Sequence, residues 1–150
     1  AGSSSSINSE EGVLYAEISA LANDGTGRTI AINKDTNDRI QLYFSSSNNT
    51  VSVFYKAQSG ATNFILNYVL NDVKIFNKIA FKWKTNDFAL WVNGLEVDSL
   101  LNGVTSLSGT LDKLDFKLFN TSGAFYGNTK DVRVYNTALT DAELQALTTL

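Results

Sequence analysis

The stretch Asn77-Lys78-Ile79-Ala80-Phe81-Lys82-Trp83-Lys84-Thr85-Asn86-Asp87-Phe88-Ala89-Leu90-Trp91-Val92-Asn93-Gly94 decides the fold. Ile79, Phe81 and Trp83 alternate with Ala80, Lys82 and Lys84, and Leu90 and Val92 alternate with Ala89 and Trp91. A period of two is what a β-strand imposes when one face is apolar. Asn93-Gly94 follows directly, and both residue types tolerate the positive φ that a type I′ hairpin turn demands. Leu95 to Val97 then reads as the return strand.

The same alternation runs outward in both directions. Val13 to Ala20 sends Leu14, Ala16 and Ile18 to one face, with Tyr15 and Glu17 on the other. Further strands read at Ile30 to Ile32, Ile40 to Phe44, Val51 to Tyr55, Phe64 to Leu70, Leu114 to Leu118 and Val132 to Tyr135, with Asn/Asp/Gly/Ser turns between them. Thr140-Asp141-Ala142-Glu143 is a capping box, so one short helix carrying Leu144, Leu147 and Leu150 closes the chain. Roughly ten strands at this spacing and one terminal helix predict an all-β fold: an antiparallel two-sheet jelly-roll β-sandwich with a short C-terminal α-helix.

Composition agrees and excludes much. Ser, Thr and Asn fill 45 of the 150 positions, which suits short strands joined by polar turns. Net charge is −3 and charged residues are 18% of the chain, so no basic stripe exists for nucleic acid. No apolar run approaches the roughly 18 residues of a membrane span. Cys and His are both absent, which removes thiolate nucleophiles, Ser-His-Asp triads and thiol or imidazole zinc shells. Residues 1–6, Ala-Gly-Ser-Ser-Ser-Ser, read as a flexible linker or cloning remnant, and residues 7–150 as one domain of a larger protein.

The Asn77 to Gly94 stretch resembles the paired strands N-K-I-A-F-x-Y-x-x-N-D-F-A-L-Y-V-N-G of concanavalin A-like, laminin-G-like jelly-roll domains. Gly127 followed by Asp131-Val132-Arg133-Val134-Tyr135-Asn136-Thr137-Ala138-Leu139-Thr140-Asp141-Ala142-Glu143-Leu144 is similar to the closing motif of that family. Val13 to Ile18 resembles its opening strand, so the likeness spans about residues 12 to 148. Versions of this pattern occur in bacteriophage tail and fibre proteins and in modules of polysaccharide-active enzymes. The resemblance therefore implies an extracellular or virion-associated setting. It also implies close backbone approach at Gly127, and a closing helix anchored by Leu139 and Leu144 over an open end of the sandwich.

Catalytic signatures are incomplete. Glucanases of this fold carry Glu-x-Asp-x-x-Glu on one strand, and Glu96-Val97-Asp98-Ser99-Leu100-Leu101 lacks the final Glu. Tyr55-Lys56-Ala57 echoes one piece of a jelly-roll lyase site, but the His of the other piece is missing. The reading is a non-catalytic, lectin-like module for a polysaccharide or cell-surface glycan. The competing reading is a structural or assembly domain of a virion appendage.

A sugar site needs an aromatic ring held flat against the C–H face of a pyranose, with amides and lysines beside it. Alternation sends Tyr15, Tyr43, Phe54, Trp91, Phe119 and Tyr135 outward. Tyr15 and Tyr135 fall in framework motifs and are expected to pack against the closing helix or the other terminus; Trp83 is in phase with the core. Tyr43, Phe54 and Trp91 are the candidate platforms, with Gln41, Lys82 and Asn93 as polar contacts and the lysines favouring an acidic glycan. Ser52, Lys56 and Lys84 share their strand faces. The fold class also implies structural Ca²⁺, for which Asp24, Asp35 and Asp38 offer hard oxygen ligands, although the same loops read as Asx turns.

Overall fold

A computed structural model describes residues 5–118 and 122–150. Two five-stranded antiparallel sheets pack face to face as a jelly-roll β-sandwich. Sheet A runs β10(Gly127–Tyr135), β1(Glu11–Ala20), β6(Asn77–Lys84), β7(Phe88–Val92), β8(Leu95–Leu100). Sheet B runs β5(Thr62–Val69), β4(Thr50–Ala57), β3(Arg39–Phe44), β2(Arg28–Asn33), β9(Lys113–Asp115). The expected fold is the observed one. The strand expected at Leu114 to Leu118 is shorter. After Asp115, Phe125 N–H bonds Phe116 C=O and Leu118 N–H bonds Ser122 C=O. The last strand begins at Gly127, where a Cβ would collide with the Ser19 carbonyl oxygen.

The inner faces form the main core. Leu14, Ile18, Ile79, Phe81, Trp83, Leu90 and Val92 of sheet A meet Ile30, Ile32, Ile40, Leu42, Val51, Val53 and Tyr55 of sheet B. Tyr55 lies at its aromatic centre, stacked on Phe64 at 5.3 Å and tilted against Phe88 at 5.0 Å. Asn93 (φ 50°) and Gly94 (φ 89°) make the hairpin turn between β7 and β8 as their residue types require.

A second, smaller core lies outside sheet A. The helix α1(Asp141–Thr148) rests on the outer face of β1, β6 and β7, where Leu144 joins Val13, Tyr15, Ala80, Ala89 and Trp91, with Tyr135, Leu139 and Leu147 around them. The helix therefore covers a sheet face and not an open end of the sandwich. Leu150 is exposed and takes no part in its stripe. Tyr15 and Tyr135 pack against the helix as expected. Both faces of β1 are consequently buried, as are those of β6 and β7.

Candidate functional site

The structure divides the expected sugar contacts between the two sheets. Trp91 lies on β7 of sheet A, is 7% exposed and belongs to the core beneath α1. It is not a surface platform. Alternation correctly sends it away from the inner core, but the helix returns across that face and shields the ring. Lys82 is likewise no surface contact. It is 5% exposed, and its Nζ lies 2.7 Å from Asp87 and 3.5 Å from Asp141, the first residue of α1. Asn93 is spent on its own turn: its Oδ1 accepts from the Lys78 N–H at 2.9 Å, and its Nδ2 donates to Asn77 Oδ1 at 2.9 Å. A common face for Trp91 and Tyr43 does not exist, since the two rings stand on opposite sheets.

The other three residues come together. Gln41 and Tyr43 lie on β3 and Phe54 on β4, and the register pairs Gln41 with Phe54 and Tyr43 with Ser52. Ile40, Leu42, Val53 and Tyr55 fill the core, so the intervening residues all point to the outer face of sheet B. Among the described residues no helix covers that face, and Leu118 and Gly123 of the loop between β9 and β10 lie over part of it. A cavity of about 220 Å³ opens on it, lined by Gly27, Thr29, Gln41, Tyr43, Leu118 and Gly123. Tyr43 is half-buried there, whereas Gln41 is 8% exposed and lies in the floor with Thr29; its register partner Phe54 is half-buried beside the cavity. Ser52 donates to Asn67 Oδ1 at 2.7 Å, which fixes an amide at the far side.

Sequence reasoning missed the cavity wall. Thr29 shares the outer face by the same alternation and could have been found. Leu118 and Gly123 could not, because they arrive from the loop between β9 and β10, anchored where Thr29 N–H bonds Gly123 C=O at 3.1 Å. Arg39 was also missed; its guanidinium sits 4.8 Å from the centre of the Phe54 ring. Phe119, another expected outward aromatic, lies outside the described residues.

Asp24, Asp35 and Asp38 do not fit a calcium shell. Asp24 accepts from the Thr26 N–H at 3.0 Å and faces Arg28 Nη2 with both oxygens. Asp35 Oδ1 accepts from the Asn37 and Asp38 N–H groups, an Asx turn that, with Lys34 and Lys56 nearby, holds its carboxyl below the ordinary range. Buried Asp38 accepts from Ser106 Oγ at 2.8 Å and from the Gln58 N–H. Donor hydrogens occupy these carboxylates, Asp24 stands at the opposite end of β2 from the other two, and no cluster of three acidic ligands exists among the described residues.

The carboxylates of the partial glucanase motif are also separated. The register shifts between Leu90 and Trp91, so Asp98 pairs with Leu90 while Glu96 pairs with Trp91. Partners across a ladder share a face, and this bulge puts Glu96 and Asp98 on opposite faces. Asp98 instead accepts the Asn67 N–H at 3.0 Å. Tyr55, adjacent to Lys56, points into the core, where its hydroxyl accepts the Ser106 N–H.

Two packed antiparallel sheets, one of them roofed by a terminal helix, define a jelly-roll sandwich domain. The model of the concanavalin A-like lectin/glucanases superfamily matches residues 7–145, and the chain belongs to that superfamily. Among solved structures, the chain is similar to the CBM40 module of the Ruminococcus gnavus IT-sialidase bound to α2,3-sialyllactose. The TM-score is 0.71 at 17% identity, over 93% of this chain and 83% of that one. It is also similar to domain 4 of an extracellular GH43 arabinanase from Geobacillus stearothermophilus in complex with arabinotriose. Here the TM-score is 0.73 at 16% identity, over 98% and 70% of the two chains. A third is the heptameric SAP-like pentraxin of Limulus polyphemus, with TM-score 0.62 and 11% identity over 95% and 71%. No curated protein matches the chain in sequence. No helix among the described residues is long and apolar enough to cross a membrane.

Proposed function

We propose that the domain is a non-catalytic carbohydrate-binding module that takes a polysaccharide or cell-surface glycan on the outer face of sheet B. It would serve within a larger secreted or virion-associated protein. The observation that carries this reading is the placement of Tyr43, Gln41 and Phe54 on one face beside a cavity. A pyranose ring stacks on Tyr43 through its C–H face, beside the cavity that Gln41 and Thr29 line from below. The similar CBM40 and arabinanase domains, in complexes with sugars, support the same reading. Neither carboxylate of the partial motif has a partner across a shared cleft, which supports binding without hydrolysis.

The test is retention on a panel of polysaccharides by affinity electrophoresis, with Tyr43→Ala and Gln41→Ala alongside the parent chain. Loss of one stacking ring should weaken binding about tenfold, on the scale of one aromatic contact with its buried area. Unchanged retention in both variants would refute the site. A second reading, assembly through the open side of the sandwich, is favoured by the exposed Ile65 and Val69 of β5 and Leu95 of β8. A stable oligomer with no retention on any polysaccharide would select it.

A further inference from the structure

The register of sheet B lays its outward residues on a grid. Lys56 of β4, Arg39 of β3, Asn33 of β2 and Lys113 of β9 stand in one line across the strands. The adjacent line, two residues along each strand, runs Ile65, Phe54, Gln41, Ala31. Neighbouring strands are about 4.8 Å apart, so the cationic line is about 14 Å long and lies about 7 Å from the aromatic one. A single pyranose spans that gap with its substituents.

Lys56 and Lys113 take part in none of the ion pairs among the described residues, a property they share with Lys34, Lys78, Lys84 and Lys117; what sets them apart is their place in one line with Arg39 beside Phe54. Lys56 donates to the neutral Asn37 Oδ1 at 3.2 Å. Carboxylates also lie near: Asp115, which accepts from Asn33 Nδ2 at 3.2 Å, Asp35, held in its Asx turn, and Asp38 and Asp112, the chain neighbours of Arg39 and Lys113. Arg39 lies over the Phe54 ring, which holds its guanidinium fork in place at the edge of the aromatic line. In an acidic protein of net charge −3, this row is set beside the aromatic line and not on an unrelated surface.

We infer that this row reads the carboxylate of an acidic sugar, a uronic or sialic acid residue held beside the stacked Arg39–Phe54 pair, with its carboxylate meeting Arg39 and the flanking lysines. The inference rests on the carbohydrate-binding reading and deepens it. The sequence expectation gave the acidic preference to the lysines; of these Lys82 is buried beneath α1, Lys56 stands in this row, and Arg39 and Lys113 join it.

The experiment is a glycan array carrying polygalacturonate fragments, 3′-sialyllactose and neutral dextran fragments, with poly-glutamate as a carboxylate without a sugar ring. The parent chain should bind one or both carboxylated sugars over dextran, with the preference shrinking as salt rises. Which of the two binds identifies the source of the carboxylate. Lys56→Gln combined with Lys113→Gln should lower acidic-sugar binding about fivefold, the scale of two exposed charge contacts, at unchanged Tm. Arg39→Lys keeps the charge but loses the bidentate fork, and should weaken binding while leaving the salt dependence. Equal binding of dextran, equal binding of poly-glutamate or an unchanged preference in the double variant overturns the inference and leaves the carbohydrate-binding reading intact. Absence of binding to every sugar overturns both.

Discussion

Trp91 and Tyr43 show how far alternation reaches for a single residue. Each points away from the main core along its strand, and for both the pattern is right about direction. Their fates differ because α1 lies over the Trp91 ring, whereas Leu118 and Gly123 cover the Tyr43 face only in part. The difference is measurable. Trp91→Ala should cost about 3–5 kcal/mol, as emptying a buried aromatic site does. Tyr43→Ala should cost about 1 kcal/mol or less, since its ring is half-buried on a partly covered face. Urea unfolding of the two variants gives the comparison, and similar losses for both would contradict the burial assigned to Trp91.

At the scale of elements, α1 is held at both ends by groups with identifiable roles. Its start is a reciprocal cap: Glu143 N–H donates to Thr140 Oγ1, and the Glu143 carboxylate accepts the Thr140 N–H at 2.8 Å and its hydroxyl at 2.9 Å. Its end is pinned where Gly94 N–H donates to Thr148 Oγ1 and Lys78 Nζ to the Thr149 carbonyl. The Thr140 backbone hydrogen bond, then that of its hydroxyl, holds the Glu143 carboxyl below its ordinary 4.5. A lowered value in the folded state means stabilisation that is complete above 4.5 and is lost as pH falls through the lowered value. Glu143→Gln should therefore reduce Tm at neutral pH, and the gap to the parent chain should close at about pH 2. A gap of constant size across the acid range would show that the carboxylate charge does not matter to the cap.

The whole molecule is organised by contacts distant in sequence. β1 sits between β10 and β6, with Val13 opposite both Tyr135 and Lys82. Loops are tied across the core in the same way: Tyr55 accepts the Ser106 N–H, and Ser106 Oγ donates to Asp38. Burial pushes the Tyr55 hydroxyl up to about 12. Because that value lies above the ordinary 10.0, its contribution to stability is complete below 10.0 and is lost as pH rises through about 12. In an alkaline titration followed by phenolate absorbance and near-UV circular dichroism, the last tyrosine should ionise together with loss of the fold. Tyr55→Phe should remove that step and shift alkaline unfolding upward. Ionisation of all six tyrosines near 10 with the fold intact would contradict this assignment.

The sequence by itself determined the strands, the Asn93-Gly94 hairpin, the capped helix and the family. Each depends on short-range chemistry: a period of two, positive φ at two residues, a reciprocal cap. It also determined that Gln41 and Tyr43 point away from Leu42, and Phe54 away from Val53, each on its own strand. Only the tertiary structure decided which sheet joins which, because pairings such as Val13 with Tyr135 arise from segments more than a hundred residues apart. It likewise decided that α1 buries Trp91 and Lys82, that a loop bringing Leu118 walls the cavity beside Tyr43, and that Lys113 falls in line with Arg39 and Lys56. Alternation encodes the direction of a side chain relative to its own strand; what lies in that direction belongs to another part of the chain.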